Sequence, residues 1–366
     1  MRVRRQYVKC GATAMLLLTL GAHAANAGSD PLPGEAIAPP PNTNIVMFYN
    51  VFSDAGSYAG VNGDTYDQHT HISTNSIALR YIHTFNTGGL LTGVQMVVPY
   101  VSFIGGQETG ISDIPAPAGV PSSVPSYGPG RANLSHNSGF GEPMLGAFVF
   151  PYNNPATGTY LVVGPWIDIP IGSYEKTEDL NATSNLWTYE IEAGFRTVLL
   201  GTPEKRNLAV EAWGEGYLYG SNGDSALTSP EVYADNIPSA YQTLNAMTHG
   251  AVPDANPLSQ GSSTPARLSE QPSAELRVYL PYQFYPRTLA MVAPGIFQSF
   301  GGKQYYTLEN GTKEDAGTRT QETQLRLIVS SFVSPHWQLM LTGNYDLIAH
   351  GAPLNREVEL RLSTFF

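Results

Sequence analysis

From Asn44 onward, polar and apolar residues alternate in long runs. In "NREVELRLSTFF" (Asn355–Phe366), Val358, Leu360, Leu362, Thr364 and Phe366 share one side, while Glu357, Glu359, Arg361 and Ser363 share the other. In "LWTYEIEAGFRT", Trp187, Tyr189, Ile191, Ala193 and Phe195 oppose Thr188, Glu190, Glu192 and Arg196. In "PSAELRVYLPYQF", Leu276, Val278, Leu280, Tyr282 and Phe284 oppose Glu275, Arg277, Tyr279 and Gln283, and Leu161, Val163, Ile167, Ile169 and Ile171 oppose Asp168. Period two is the mark of a strand between two environments, and no helical stripe of useful length competes with it. Segments near 44–54, 74–85, 91–104, 138–151, 159–171, 185–199, 206–219, 271–284, 288–300, 320–333, 336–348 and 355–366 reach the ~9–11 residues of a tilted membrane strand.

The connections sharpen this reading. Short links at "NTGG" (Asn86–Gly89), "YNNPATG" (Tyr152–Gly158), "GTPEKR" (Gly201–Arg206), "YPR" (Tyr285–Arg287) and "SPH" (Ser334–His336) alternate with long ones near 56–72, 105–136, 172–184, 220–267 and 301–318. Only "HGAPL" (His350–Leu354) breaks the rhythm by being short. Short turns on one side and long loops on the other predict an all-β, transmembrane, antiparallel up-and-down barrel of about twelve strands. In a sandwich the apolar face would turn inward. In lipid it turns outward, and the charges line the lumen. Trp337, Tyr345, Trp187, Tyr160 and Phe366 then suit interfacial girdles. The final "VELRLSTFF" resembles the C-terminal signal of bacterial outer-membrane proteins, which implies that Phe366 is read by the barrel-assembly machinery.

The first residues add an address. Basic "MRVRRQYVK", apolar "GATAMLLLTLGA" and small "AHAANA" have the layout of a signal peptide ending at Ala27 or Ala24. The expected organisation is residues 1–27 as signal, 28–43 as a proline-rich periplasmic lead-in and 44–366 as barrel. Removing 1–27 takes four basic residues and no acidic one, leaving 15 basic against 30 acidic, a net charge of −15. A chain so acidic is a poor nucleic-acid partner. The single cysteine, Cys10, lies in the signal, so an exported chain would hold no disulfide.

The stretch Ser138, Gly139, Phe140, Gly141, Glu142, Pro143 is followed by Gly158–Tyr160, Gly164, Pro165, Pro170, Gly172–Tyr174, and then Asn185 and Trp187. These residues resemble the motifs of the "MetA-pathway of phenol degradation" family of outer-membrane transporters. Two positions depart from it, with Glu142 where Asp is expected and Leu186 where Arg is expected. The resemblance implies an outer-membrane barrel that passes hydrophobic or aromatic compounds.

The inferred inner face holds Asp168, Glu190, Glu192, Arg196, Glu211, Glu215, Glu275, Arg277, Glu322, Arg326, Glu357, Glu359 and Arg361. As salt bridges they would hold a narrow barrel shut, and as a net-acidic pathway they would favour cations or neutral solutes over anions. Ser135 and His136 are adjacent in an extended segment and point to opposite faces, so a serine nucleophile with its base is disfavoured there. His69 and His71, near Asp64 and Asp67, fall short of a closed four-ligand zinc site, and "SNGDS" lacks a full calcium-loop spacing. No metal, cofactor or catalytic residue is expected. The loops at 105–136 and 220–267 are long enough to fold inward as plugs. The expected function is passage of small, hydrophobic or aromatic solutes across an outer membrane, with lipids and the assembly machinery as partners. The alternatives are a closed structural or adhesive barrel, and a membrane-embedded lipid hydrolase using His136.

Overall fold

A computed structural model describes residues 30–59, 65–67, 71–111, 130–176, 178, 180–227 and 264–366. Twelve long strands follow one another: β1 (Asn44–Ala59), β2 (Ile72–Thr87), β3 (Leu90–Phe103), β4 (Met144–Asn154), β5 (Thr159–Asp168), β6 (Thr188–Gly201), β7 (Asn207–Tyr219), β8 (Ser273–Tyr279, resuming at Tyr282–Tyr285), β9 (Ala290–Phe300), β10 (Gln321–Ser334), β11 (Trp337–His350) and β12 (Ala352–Phe365). Each pairs antiparallel with its predecessor, and β12 pairs with β1 along its length, from Ile45↔Phe365 to Ala59↔Ala352. The sheet closes, so no ladder edge faces lipid. All twelve segments read from the alternation correspond to these strands. The barrel seam ends on a reciprocal pair, with the Asn44 amide donating to the Phe366 carbonyl at 2.7 Å and the Phe366 amide to the Asn44 carbonyl at 2.9 Å.

The short turns gather at the end where β1 begins, and the long loops lie at the other. Beyond the long-loop end, Ser221–Leu227, Thr264–Glu270, Lys303–Leu308 and Lys313–Arg319 form a separate four-stranded sheet. The burial pattern decides which way the faces turn. Phe48, Leu79, Ile191, Leu276, Leu327, Leu341 and Leu360 are exposed, while Glu192, Arg277, Arg326 and Arg361 are buried. An apolar outside around a charged inside is the arrangement lipid demands. Trp187, Trp337, Tyr345 and Phe366 are exposed as expected of girdle aromatics, but Tyr160 is only 6% exposed and points inward. The alternation of β5 places Tyr160 on the face of Val162, Trp166 and Asp168, and this overrides its position near the strand end.

The inner face also departs from a uniformly polar wall. Toward the short-turn end it carries Ile45, Met47, Ile82, Phe150, Val162 and Met291, all buried. A twelve-stranded barrel is wider than the eight-stranded kind that side chains alone fill, and here Leu32 and Ala36 pack inside it against Phe150, Val162 and Met291.

Turning one lipid-facing side chain into a charge tests the orientation. Leu360→Arg is expected to cost about 2–4 kcal/mol of barrel stability near the bilayer midplane, read by urea unfolding in vesicles. An unchanged unfolding curve would place Leu360 away from hydrocarbon.

Candidate functional site

Period two brings five arginines inside: Arg80 on β2, Arg196 on β6, Arg277 on β8, Arg326 on β10 and Arg361 on β12, each at most 5% exposed. A guanidinium keeps its charge at any biological pH, so each requires an acceptor. Arg196 donates from Nη1 to Glu211 Oε2 at 2.7 Å. The other four reach acids that the barrel wall does not supply.

Those acids are Asp30 and Glu35. The segment from Asp30 to Asn42, expected as a lead-in outside the barrel, runs through its interior instead, with Leu32 and Ala36 buried among lumen side chains. Arg80 donates to Glu35 Oε2 at 3.0 Å, and Arg361 donates to Glu35 Oε1. Arg277 donates to Asp30 Oδ1 at 3.0 Å and Arg326 to Asp30 Oδ2 at 3.2 Å. A third anchor has the opposite polarity, since the wall carboxylate of Glu211 accepts the Gly34 and Ala36 amides at 2.9 and 3.2 Å. Glu211 stands on β7, halfway around the ring from β2 and β12, which carry Arg80 and Arg361. The segment therefore braces opposite walls. Prolines at 31, 33, 39, 40 and 41 have no amide to leave unpaired, which suits a chain that crosses a lumen without a ladder partner.

The four arginines are held in place before the segment is considered. Gln95 Oε1 accepts from Arg80 Nε and Nη2 at 3.1 and 2.6 Å, and Gln324 Oε1 accepts from Arg326 Nε and Nη2 at 3.1 and 2.8 Å. Arg80 lies over the Trp166 ring, Arg361 over Tyr49, and Arg277 and Arg326 both lie over Phe297. Aromatic faces hold cations without neutralising them.

The remaining sequence-derived positions take these places. Asp168, Glu190, Glu192, Glu211, Glu215 and Glu275 line one wall, on β5 to β8, and all are buried. Arg277 serves Glu215 and, at 2.6 Å, Glu275. Glu322 and Glu359 are buried on the other wall, and Glu357 is half-buried with Asn344 Nδ2 donating to it at 3.0 Å. Absent from that sequence reading were Arg80, Asp30 and Glu35. Arg80 was findable, because "SIALRYIHTF" alternates as clearly as the other strands.

A cavity of about 330 Å³ lies along the brace in the apolar, short-turn half of the lumen. Its walls include Ile45, Met47, Phe150, Val162 and Met291, with Ile37 and Ala38 contributed by the brace itself. Gln95, Gln283 and Gln338 punctuate this surface with hydrogen-bonding groups.

At the long-loop end, the sequence motifs converge. Ser173 donates its amide to the Phe140 carbonyl at 2.7 Å and Gly141 to the Pro99 carbonyl at 3.0 Å. A side chain at Gly172 would meet the Phe140 carbonyl oxygen at 2.7 Å, so only glycine lets these two backbones touch. The Glu142 carboxyl accepts from Thr183 Oγ1 at 2.7 Å and from the Leu186 amide at 3.1 Å. Asn185 takes the left-handed conformation, at φ 55°, that lets the chain turn back to that carboxyl. The motif residues fasten the loop between β5 and β6 onto the start of β4.

Residues 53–225 match the "MetA-pathway of phenol degradation" family. The structure is similar to that of an outer membrane channel from Pseudomonas putida F1, at 21% identity and a TM-score of 0.64, covering 92% of this chain and 100% of that one. At that identity the likeness is one of fold. More distant likenesses are a TodX deletion mutant described as a monoaromatic hydrocarbon channel (9% identity, TM-score 0.42, 89% and 90% covered) and the KdgM porin (8%, 0.38, 87% and 98%). No curated protein matches the sequence. The chain has the fold of an outer-membrane β-barrel.

Both departures from the family motifs have a local account. Leu186, where the family has Arg, packs against Ala266, Leu268 and Tyr306 and replaces a charge with apolar contact. Glu142 reaches Thr183 and the turn as a carboxyl one methylene longer than Asp. Ser135 and His136 do not pair: His136 Nδ1 lies 3.3 Å from the Leu134 carbonyl, and its ring packs against Phe103. His71 Nδ1 lies 3.5 Å from Asp54, and His69 and Asp64 fall outside the described residues. Residues 112–129 and 228–263, the inner parts of the two loops considered as plugs, also lie outside them.

Burial pushes the Glu142 carboxyl up to about 7, against its hydrogen bonds from Thr183 and Leu186. A carboxyl raised on folding stabilises below its unfolded value and loses that contribution as pH rises through the folded one. Once the intrinsic, base-catalysed rise of exchange with pH is divided out, the amides of the loop at 172–187 are therefore expected to be less protected at pH 8 than at pH 5. Glu142→Gln should flatten the difference in hydrogen-exchange mass spectrometry; a difference that persists would locate the titrating group elsewhere.

Proposed function

We propose that this barrel conducts small apolar or aromatic compounds across the outer membrane by passive or facilitated diffusion. The observation that carries the reading is the cavity inside the lumen, whose wall is mostly apolar, with three glutamines and a charged side formed by Glu35, Arg80, Glu192, Arg196 and Arg361. Its volume is at the lower end of small-molecule pockets. The family's association with phenol degradation is consistent with such a solute. The acid-rich wall of β5 to β8 disfavours anions, which leaves neutral and cationic molecules as the favoured cargo. In this reading the 30–42 brace is the barrier, and its anchors set how often the path opens.

A barrel kept permanently shut, serving a structural role, is the competing reading, and the wall-to-wall brace is what favours it. Conductance separates the two. Glu35→Ala leaves Arg80 and Arg361 without their carboxylate, a loss of about 3–5 kcal/mol for a buried pair. Single-channel recordings in planar bilayers are expected to show longer or larger openings for Glu35→Ala than for the unaltered chain. Uptake of phenol into proteoliposomes should rise with them. If the variant folds and both measures stay at the lipid-only baseline, the barrel does not conduct.

We assign Phe366 to assembly through its place at the β1–β12 seam. Removing Phe366 is expected to lower the folded fraction recovered from outer membranes, scored by heat-modifiable migration. Full recovery would make the rim aromatic dispensable.

A further inference from the structure

Carboxylates stand directly opposite one another across three neighbouring strands. Glu192 on β6 is in register with Glu215 on β7, and Glu215 with Glu275 on β8. Like charges facing each other across a ladder are destabilising. Glu190 adds a fourth, two residues from Glu192 on the same face. Oxygens of Glu190, Glu192 and Glu215 all lie within 4.8 Å of one another.

Arginine does not resolve the crowding. Among the described residues, Arg277 is the cation bonded to this group, and it is divided among Glu215, Glu275 and Asp30. Glu190 is 8% exposed and has no hydrogen-bond or ion-pair partner among the described residues. Glu215 is 6% exposed; its Oε2 is taken by Arg277 and by the Tyr217 hydroxyl at 2.7 Å, but its enclosed Oε1 has no partner. An enclosed carboxylate oxygen without a partner is costly, and here it is turned toward two further carboxylates.

We propose that Glu190, Glu192 and Glu215 hold a divalent cation of the Ca²⁺ class. Three converging carboxylates are the hard oxygen donors such an ion takes, and the Tyr217 hydroxyl and water can complete its shell. The site lies toward the long-loop side, because Glu190 is the third residue of β6 from that end. A cation there ties β6 to β7 at the mouth of the lumen and removes the repulsion the ladder imposes. It also leaves Arg277 free to hold Asp30, which makes the site a support of the brace. The inference does not rest on transport.

The test uses the full barrel in detergent, with Tb³⁺ as the probe and Ca²⁺ as competitor. Trp166, in register with Glu190 on β5, is placed to sensitise Tb³⁺ luminescence. The expected result is a saturable signal displaced by Ca²⁺, with apparent affinity weakened at least about tenfold in the E190Q/E192Q double variant. Those substitutions keep side-chain shape and remove like charge, and heat-modifiable migration verifies that the variant is folded. Ca²⁺ should also raise the thermal unfolding temperature of the unaltered chain and leave that of the double variant unmoved. A signal that does not saturate, or that survives unchanged in the double variant, overturns the assignment. So does a Ca²⁺ stabilisation equal in both proteins, since it would belong to other carboxylates.

Discussion

Hydrocarbon offers no hydrogen bonds, and the rest of this structure follows from that. Every backbone amide and carbonyl at membrane depth must find a partner in the sheet, so the sheet must close. The pairing of β1 with β12 supplies that closure and continues to the reciprocal bonds between Asn44 and Phe366. Closure then leaves each side chain one of two surroundings. Most large apolar side chains go to the lipid, and the charged ones, which cannot, are confined to a narrow interior beside the apolar residues of its short-turn end.

Confinement turns the lumen into an electrostatic problem. Arginines and carboxylates enter it because alternation forces them in, not because each was placed beside a partner. Arg80, Arg277, Arg326 and Arg361 are supported by glutamines and aromatic rings, which fix their direction and leave their charge intact. Asp30 and Glu35, far from these strands in sequence, supply acids to all four, and Arg277 also has Glu215 and Glu275 of the wall. Glu211 reverses the roles by taking backbone amides from the same segment. Three anchors of alternating polarity on opposite walls hold the brace across the lumen.

The barrel was legible because its signal is periodic and local. Strand positions, face assignments and the sorting of short and long connections can all be counted along the chain. Arg80 was overlooked although it obeys the same count. The brace was not legible, because "DPLPGEAIAPPP" has neither period nor length to distinguish a segment outside the barrel from one inside it. What places it is charge complementarity with arginines up to about three hundred residues away, which no window along the sequence can display. Tyr160 failed for a related reason, since nearness to a strand end suggested a girdle while the parity of β5 turned the ring inward.

Moving the brace as a whole is a different event from deleting one of its acids. Truncation removes the counter-charge of a buried guanidinium and leaves it to its amide and aromatic neighbours, at the cost of an uncompensated charge. Withdrawal of residues 30–42 opens the same volume to water, which rehydrates the arginines and both carboxylates together. The Coulombic attraction lost is then measured in a wet lumen at a high effective dielectric, where such pairs are worth a fraction of their dry value. An apolar solute in the cavity meets Ile37 and Ala38 with its surface but offers no hydrogen bond to Glu35, Arg80 or Arg361, which line the same cavity. On the proposed function, the same cavity therefore presents both the polar anchors that close it to ions and the apolar lining against which a solute lodges.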